Sequence, residues 1–170
     1  MIFITVGAQM AFDRLVHAVD QWAHLNHRDD CFAQIGPSEH PPEHVRWERF
    51  LDPSRFRETI DACDAIVAHA GMGSIITSLQ HNKPILVMPR RGSLKETRND
   101  HQVATAERFE QMGRIRVAWD ERELPAGLDD LLTQTPGETI SEHASPELLD
   151  ALRAFLRGGT IEGTTQDTPA

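Results

Sequence analysis

The sequence predicts one α/β domain built on a parallel sheet covered by helices on both faces. Short apolar runs alternate along the chain with stretches of helical spacing, and glycine-containing turns follow two of those runs. The length, 170 residues and 19.1 kDa, suits one domain and is tight for two.

The elements follow in chain order. Met1-Ile2-Phe3-Ile4-Thr5-Val6 reads as a strand at once, over Ile2–Val6. Phe12, Leu15, Val16, Val19, Trp22 and Ala23 then recur at the spacing of one helical face, with Asp13, Arg14, His17, Asp20, Gln21 and His24 on the solvent face. Further strands are expected over Cys31–Ile35, Val45–Phe50, Ala65–Ala68, Ile85–Met88 and Arg114–Ala118. Asp52-Pro53 is an N-cap followed by a first-turn proline, opening a helix with Phe56, Ile60 and Cys63 inward. Helices are expected over about 74–82, 99–112 and 123–134. A last one, over about 146–157, buries Leu148, Leu149, Leu152, Phe155 and Leu156 and stops at Gly158-Gly159. The domain is thus drawn over residues 1–157, and 158–170 reads as a disordered tail.

Six strands alternating with helices fit a doubly wound, Rossmann-like sheet. An order of 3-2-1-4-5-6 places its switch point between the first and fourth strands, so the loops at their carboxyl ends should flank the ligand crevice. The first of these loops is Val6-Gly7-Ala8-Gln9-Met10-Ala11-Phe12. Gly7 allows close backbone approach, and the helix that follows offers unpaired amides to an anion. A tight turn with no ligand explains this loop equally well. The second is Ala68-His69-Ala70-Gly71-Met72-Gly73-Ser74, where two glycines and a hydroxyl stand at a helix start, an arrangement suited to phosphate. It is neither a Walker loop nor a complete GxGxxG fingerprint. The fifth strand opens into Arg90-Arg91-Gly92-Ser93-Leu94-Lys95-Glu96-Thr97-Arg98, a local positive island suited to a diphosphate, followed by Asn99-Asp100-His101-Gln102 with groups able to hold sugar hydroxyls.

Composition bounds the partners. Asp and Glu number 26 against 17 Lys and Arg, a net charge of -9, which argues against a general nucleic-acid or anionic-membrane binder. Cys31 and Cys63 make no disulfide framework, and neither a basic leader nor a long apolar run is evident, so a cytoplasmic protein is expected. His24, His27 and Cys31 have loosely metal-like spacing, but His24 lies on a solvent face and Cys31 begins a strand. With no Asp-x-Asp in the chain, no metal is expected.

Taken in order, Ile4-Thr5-Val6-Gly7, Phe12-Asp13-Arg14-Leu15, Gln34-Ile35-Gly36, His69-Ala70-Gly71-Met72-Gly73-Ser74, Lys83-Pro84 and Asn99-Asp100-His101-Gln102 resemble the glycosyltransferase family 28 C-terminal domain. The likeness covers about residues 1–120 and is nearest to the small donor-binding subunits of two-part enzymes, both the eukaryotic dolichol-pathway GlcNAc transferase and bacterial exopolysaccharide transferases. Met72 and the long segment from Pro89 to Gln102 lean bacterial.

The resemblance implies the C-terminal half of a GT-B fold and a UDP-sugar donor, with no other cofactor. It implies that Gly7, Ala8, Gln9, His69 and the Gly71-Met72-Gly73-Ser74 turn face the diphosphate, and that Asp100, His101 and Gln102 approach the donor sugar. Arg90 or Arg91 would stabilise the leaving diphosphate, and His101 would polarise a donor hydroxyl. Thr77 stands where this family usually carries a Glu for the ribose hydroxyls, which keeps a non-catalytic nucleotide-sugar-binding subunit as an alternative. A nucleotide-sugar epimerase on a similar half-fold is a third reading.

One Rossmann half implies a partner with the acceptor-binding half, anchored in the membrane and reaching a polyprenyl-linked acceptor. Any membrane contact, at the inner face of the cytoplasmic membrane, would then run through that partner. The isolated chain would be a candidate for homodimerisation through an uncovered docking face.

Overall fold

The computed structural model describes residues 1–133. The expected helix at 146–157, the tail at 158–170 and the boundary between them lie outside the described residues. The six strands are β1 (Ile2–Thr5), β2 (Cys31–Gln34), β3 (Arg46–Glu48), β4 (Ala65–His69), β5 (Ile85–Met88) and β6 (Arg116–Val117). They form one sheet in the order β3-β2-β1-β4-β5-β6, and every pairing is parallel. The expected order and switch point are therefore present. β3 and β6 are shorter than the apolar runs suggested. Each is an edge strand with one neighbour, β3 pairing with Phe32, Ala33 and Gln34 and β6 with Leu86 and Val87.

Alternation within the strands sorts the core onto two faces. Ile2 and Ile4 of β1 point to one side, where α1 (Asp13–Leu25) and α5 (Leu124–Thr133) bring Leu15, Val19, Trp22, Leu124 and Leu128. Phe3 points to the other, packing with Ile60 of α2 (Pro53–Ala62), Ile75 and Leu79 of α3 (Met72–Gln80), and Phe109 of α4 (His101–Gln111). Asp52 caps α2 as expected, its carboxylate accepting from the Ser54 and Arg55 amides at 2.9 and 3.0 Å. A short 3-10 turn over Gly92–Leu94 was not anticipated. Cys31 and Cys63 are both free and buried, and burial pushes each thiol up to about 11.

Two side chains expected on the solvent face of α1 are drawn inward by partners distant in sequence. Asp20 is buried, and its carboxylate accepts from the amides of Glu43, His44 and Val45 at 3.1, 2.9 and 2.8 Å, pinning the Pro-rich connection ahead of β3. Arg14 donates to both carboxylate oxygens of Glu96 at 2.7 and 2.8 Å and to the Pro89 carbonyl at 3.2 Å. His24 does stay exposed, its ring stacked on His44 with centroids 3.9 Å apart.

Candidate functional site

β1 and β4 are neighbours with Thr5 level with Ala68, so the loops at their carboxyl ends emerge side by side. Between them lies a cleft of about 690 Å³. The β1–α1 loop contributes Gly7, Ala8, Gln9 and Met10 to its walls; the start of α3 contributes Gly71, Met72, Gly73, Ser74 and Thr77. His69 and Arg90 line it from the ends of β4 and β5, and His101 and Gln102 from the start of α4. All but two of the site residues expected from sequence meet here.

Two glycines shape the cleft for different reasons. Gly7 has φ +74°, a backbone conformation that side chains other than glycine's rarely adopt. Gly71 lies against the imidazole of His69, where a Cβ would stand 2.7 Å from Cδ2 and closer still to Nε2. That contact turns the chain from β4 into α3. The first helical bond runs from the Ile75 amide to the Gly71 carbonyl at 3.2 Å, and no side chain caps the helix. The amides of Met72, Gly73 and Ser74 therefore precede the helical ladder at the positive end of the helix dipole.

Burial sets the electrostatics. His69 is pushed down to about 4 by burial first, then by the Arg90 guanidinium; His101 adds to this, while the nearby Thr5 carbonyl opposes it. The ring is neutral at pH 7. Burial also brings Arg90 down to about 10, with Glu96 opposing, so it keeps its charge. Among the described residues three buried side-chain atoms make no regular hydrogen bond: Asp13 Oδ1, His69 Nδ1 and Arg90 Nε. Two of the three belong to side chains that line this cleft.

The neutral His69 has a consequence for pH. Its folded value lies below the unfolded 6.5, so between the two the unfolded chain binds more protons and stability falls as pH falls. The full effect is about 3 kcal/mol between pH 7 and pH 4. His69→Asn is expected to flatten this part of the profile in urea titrations between pH 6.5 and 4.5. Parallel profiles for the two proteins would show His69 is not the responsible group.

The basic segment is arranged otherwise than its sequence implied. Arg90 is buried, and its Nη2 donates to the carbonyls of Val6 and Met10 at 2.8 and 2.6 Å, so it braces the β1–α1 loop as well as charging the cleft. Gln102 supports it from α4, its Oε1 accepting from the Arg90 amide at 3.2 Å. Arg91 does not line the cleft: its Nη2 donates to the Trp119 carbonyl at 2.7 Å. Asp100 is also outside, its carboxylate accepting from the Gly92 amide at 2.7 Å. These two instead border a separate depression with Ser93, Val103 and Trp119. Lys95 and Arg98 are exposed, and Glu96 pairs with Arg14, so the four cations do not converge. Arg90 and Arg91 each donate to backbone carbonyls, partners that a reading of local charge does not register.

Thr5, Gln34, Phe56 and Thr97, none of them expected as site residues, also line the cleft. Thr5 and Gln34 carried a signal, being polar residues inside apolar strands. Both are buried, and the Thr5 hydroxyl donates to Gln34 Oε1 at 2.7 Å at the cleft floor.

The sheet order and the cleft at its switch point are those of a Rossmann-like half of a GT-B glycosyltransferase. The chain belongs to the glycosyltransferase family 28 C-terminal domain family, which matches residues 1–147. Among solved structures it is similar to ALG13, with a TM-score of 0.59 and 21% identity, covering 91% of this chain and 94% of that one. The glycotransferase of kitacinnamycin aligns with a TM-score of 0.55 and 18% identity over 91% of this chain and 38% of that one.

Among curated proteins, the human UDP-N-acetylglucosamine transferase subunit ALG13 is 29% identical over 124 residues, 67% of this chain. The mouse protein of the same name is 29% identical over 130 residues. The chain spans about a tenth (10%) of the length of these relatives. Both are mammalian, so they lend no support to the bacterial, exopolysaccharide leaning of the sequence reading.

Proposed function

We propose that this chain is the donor-binding subunit of a two-part inverting glycosyltransferase that uses a UDP-sugar without a metal ion. The observation that carries the reading is the cleft itself: the uncapped start of α3 faces the Gly7 loop across the switch point, beside the buried charge of Arg90. Backbone amides and a guanidinium suit a diphosphate, and they are in place before it arrives. Both curated relatives are named as subunits of a UDP-N-acetylglucosamine transferase, which supports a UDP-sugar donor and a partner.

In the reaction proposed, an acceptor hydroxyl oxygen bonds to the anomeric carbon as the bond to the diphosphate breaks. UDP departs with that electron pair, and the acceptor proton passes to a base on the partner's half. The negative charge gathering on the diphosphate meets the Gly73 and Ser74 amides and Arg90. His101, exposed at the first position of α4, is placed to polarise a donor hydroxyl. The acceptor is carried on a polyprenyl chain, and the partner holds the pair at the cytoplasmic face of the membrane.

Calorimetric titration with UDP tests the donor half of this reading. Gly73 offers a usable variant, because a Cβ there meets nothing within 4 Å, and Gly73→Asp adds a carboxylate to the first turn. UDP is expected to bind the unaltered chain and to lose more than about tenfold in affinity in the variant, from charge placed against the helix start. No UDP binding, or equal binding by both, sinks the proposal. Transfer from a UDP-sugar only when a second, acceptor-binding chain is added tests the partner.

A further inference from the structure

Arg14, on the first turn of α1, makes a two-pronged ion pair with Glu96, in the connection between β5 and α4. Its Nε donates to Glu96 Oε1 at 2.7 Å and its Nη2 to Oε2 at 2.8 Å. Nη2 also donates to the Pro89 carbonyl at 3.2 Å, just past β5, and Nη1 donates to Glu121 Oε2 at 3.0 Å. The Arg14 and Glu96 side chains are only 15% and 13% exposed, so water screens the pair little, and the planar fork fixes direction as well as distance. Neither residue lines the cleft.

What the pair holds does line it. Glu96 closes the turn that starts at Arg91 from both ends. Its backbone amide donates to the Arg91 carbonyl at 3.3 Å, and its Oε2 accepts from the Arg91 amide at 3.0 Å. From that turn the chain passes directly into Thr97 and then to His101, both in the cleft wall. Asp100, just ahead of α4, is tied to the same turn, accepting from the Gly92 amide at 2.7 Å. The stretch from Thr97 to His101 is thus fixed at one end by α4 and at the other by a turn that Arg14 holds. Arg90 has separate anchors on the Val6 and Met10 carbonyls and on Gln102.

Resting on the proposed UDP-sugar reading, in which His101 meets the donor sugar, we propose that Arg14 and Glu96 are positioning residues for the sugar end of the donor. Together they hold the turn against α1, and the turn sets Thr97 and His101 in the cleft wall. The diphosphate, on the α3 start and Arg90, is held independently of them. A displaced wall weakens the grip on the part of the ligand it touches and leaves the grip on the rest.

Calorimetric titration of the 170-residue chain with UDP, UDP-glucose, UDP-N-acetylglucosamine and UDP-glucuronic acid gives the ratio of UDP-sugar to UDP affinity. Arg14→Gln and Glu96→Gln are each expected to lower that ratio at least about fivefold for the tightest sugar nucleotide, with UDP affinity changed less than about twofold. The double variant should lower it no further than either single one, because the two side chains act as a unit. Arg28→Gln is the comparison. Arg28 makes the same fork to Asp30, at 2.7 and 2.8 Å, ahead of β2 and so at the opposite end of the sheet from the cleft. Its loss should lower stability and leave the ratio alone. Where Arg14→Gln or Glu96→Gln fails to fold by circular dichroism, Arg14→Lys, which keeps the charge but not the fork, carries the test with the same direction expected. A ratio unchanged in the variants, a fall in step for UDP and its sugars, or an equal fall with Arg28→Gln overturns the inference and leaves the UDP-sugar reading standing. No binding of UDP by the unaltered chain overturns both.

Discussion

Gly71→Ala is expected to destabilise the protein by about 2–3 kcal/mol, an overpacking penalty at the upper end of the usual range. The added methyl would lie 2.7 Å from His69 Cδ2, so the ring or the turn must shift to admit it. On its other side is Gly7, whose own Cβ position is 3.1 Å from His69 Cε1. The imidazole thus lies between two glycine backbones, with the contact governing Gly71 and the positive φ governing Gly7. Urea titration of Gly71→Ala, His69→Ala and the double variant measures the coupling. The double variant should recover much of the loss of the glycine substitution, because removing the ring removes the clash. A single variant within about 0.5 kcal/mol of the unaltered protein would mean that the turn relaxes freely.

Arg90→Leu is expected to cost about 3 kcal/mol, since the carbonyls of Val6 and Met10 lose a charge-assisted donor in a buried place. The guanidinium also lies 5.1 Å from the centroid of the Phe12 ring, so the substitution removes a cation–π contact as well. Because the same side chain charges the cleft, UDP affinity should fall by more than about tenfold. Arg90→Lys separates the two roles. It restores the charge but cannot span the two carbonyls with one planar group, so affinity should recover further than stability does. If both variants unfold at the temperature of the unaltered protein, Arg90 is not the brace of the β1–α1 loop.

These expectations show which parts of the molecule were legible in one dimension. Strand and helix identities were readable because they depend on local spacing: Ile2, Phe3 and Ile4 alternate between the two cores, and Leu15, Val19 and Trp22 recur at helical intervals. The order of the sheet was taken as the common one for a Rossmann-like fold, and the structure has it. Glycine turns at two strand ends then located the cleft, because those ends must be neighbours in that order. The distribution of charge was not legible in the same way. Arg14 and Asp20 sat on what spacing marked as a solvent face, yet both have partners that only the fold brings near. Thr5 and Gln34 looked like strand interior and proved to be the cleft floor.

By itself, then, the sequence determined the doubly wound sheet, its switch point, the glycine-lined cleft and the family. Each of these rests on periodicity, backbone freedom or residue order, which are properties of short stretches of chain. Only the tertiary structure decided how the charged groups are used. It directed Arg90 onto carbonyls of a loop 84 positions earlier, turned Arg91 and Asp100 away from the cleft, and left His69 neutral between two glycines. A charged group is assigned by its nearest partners and its exposure to water, and both come into existence when distant segments meet.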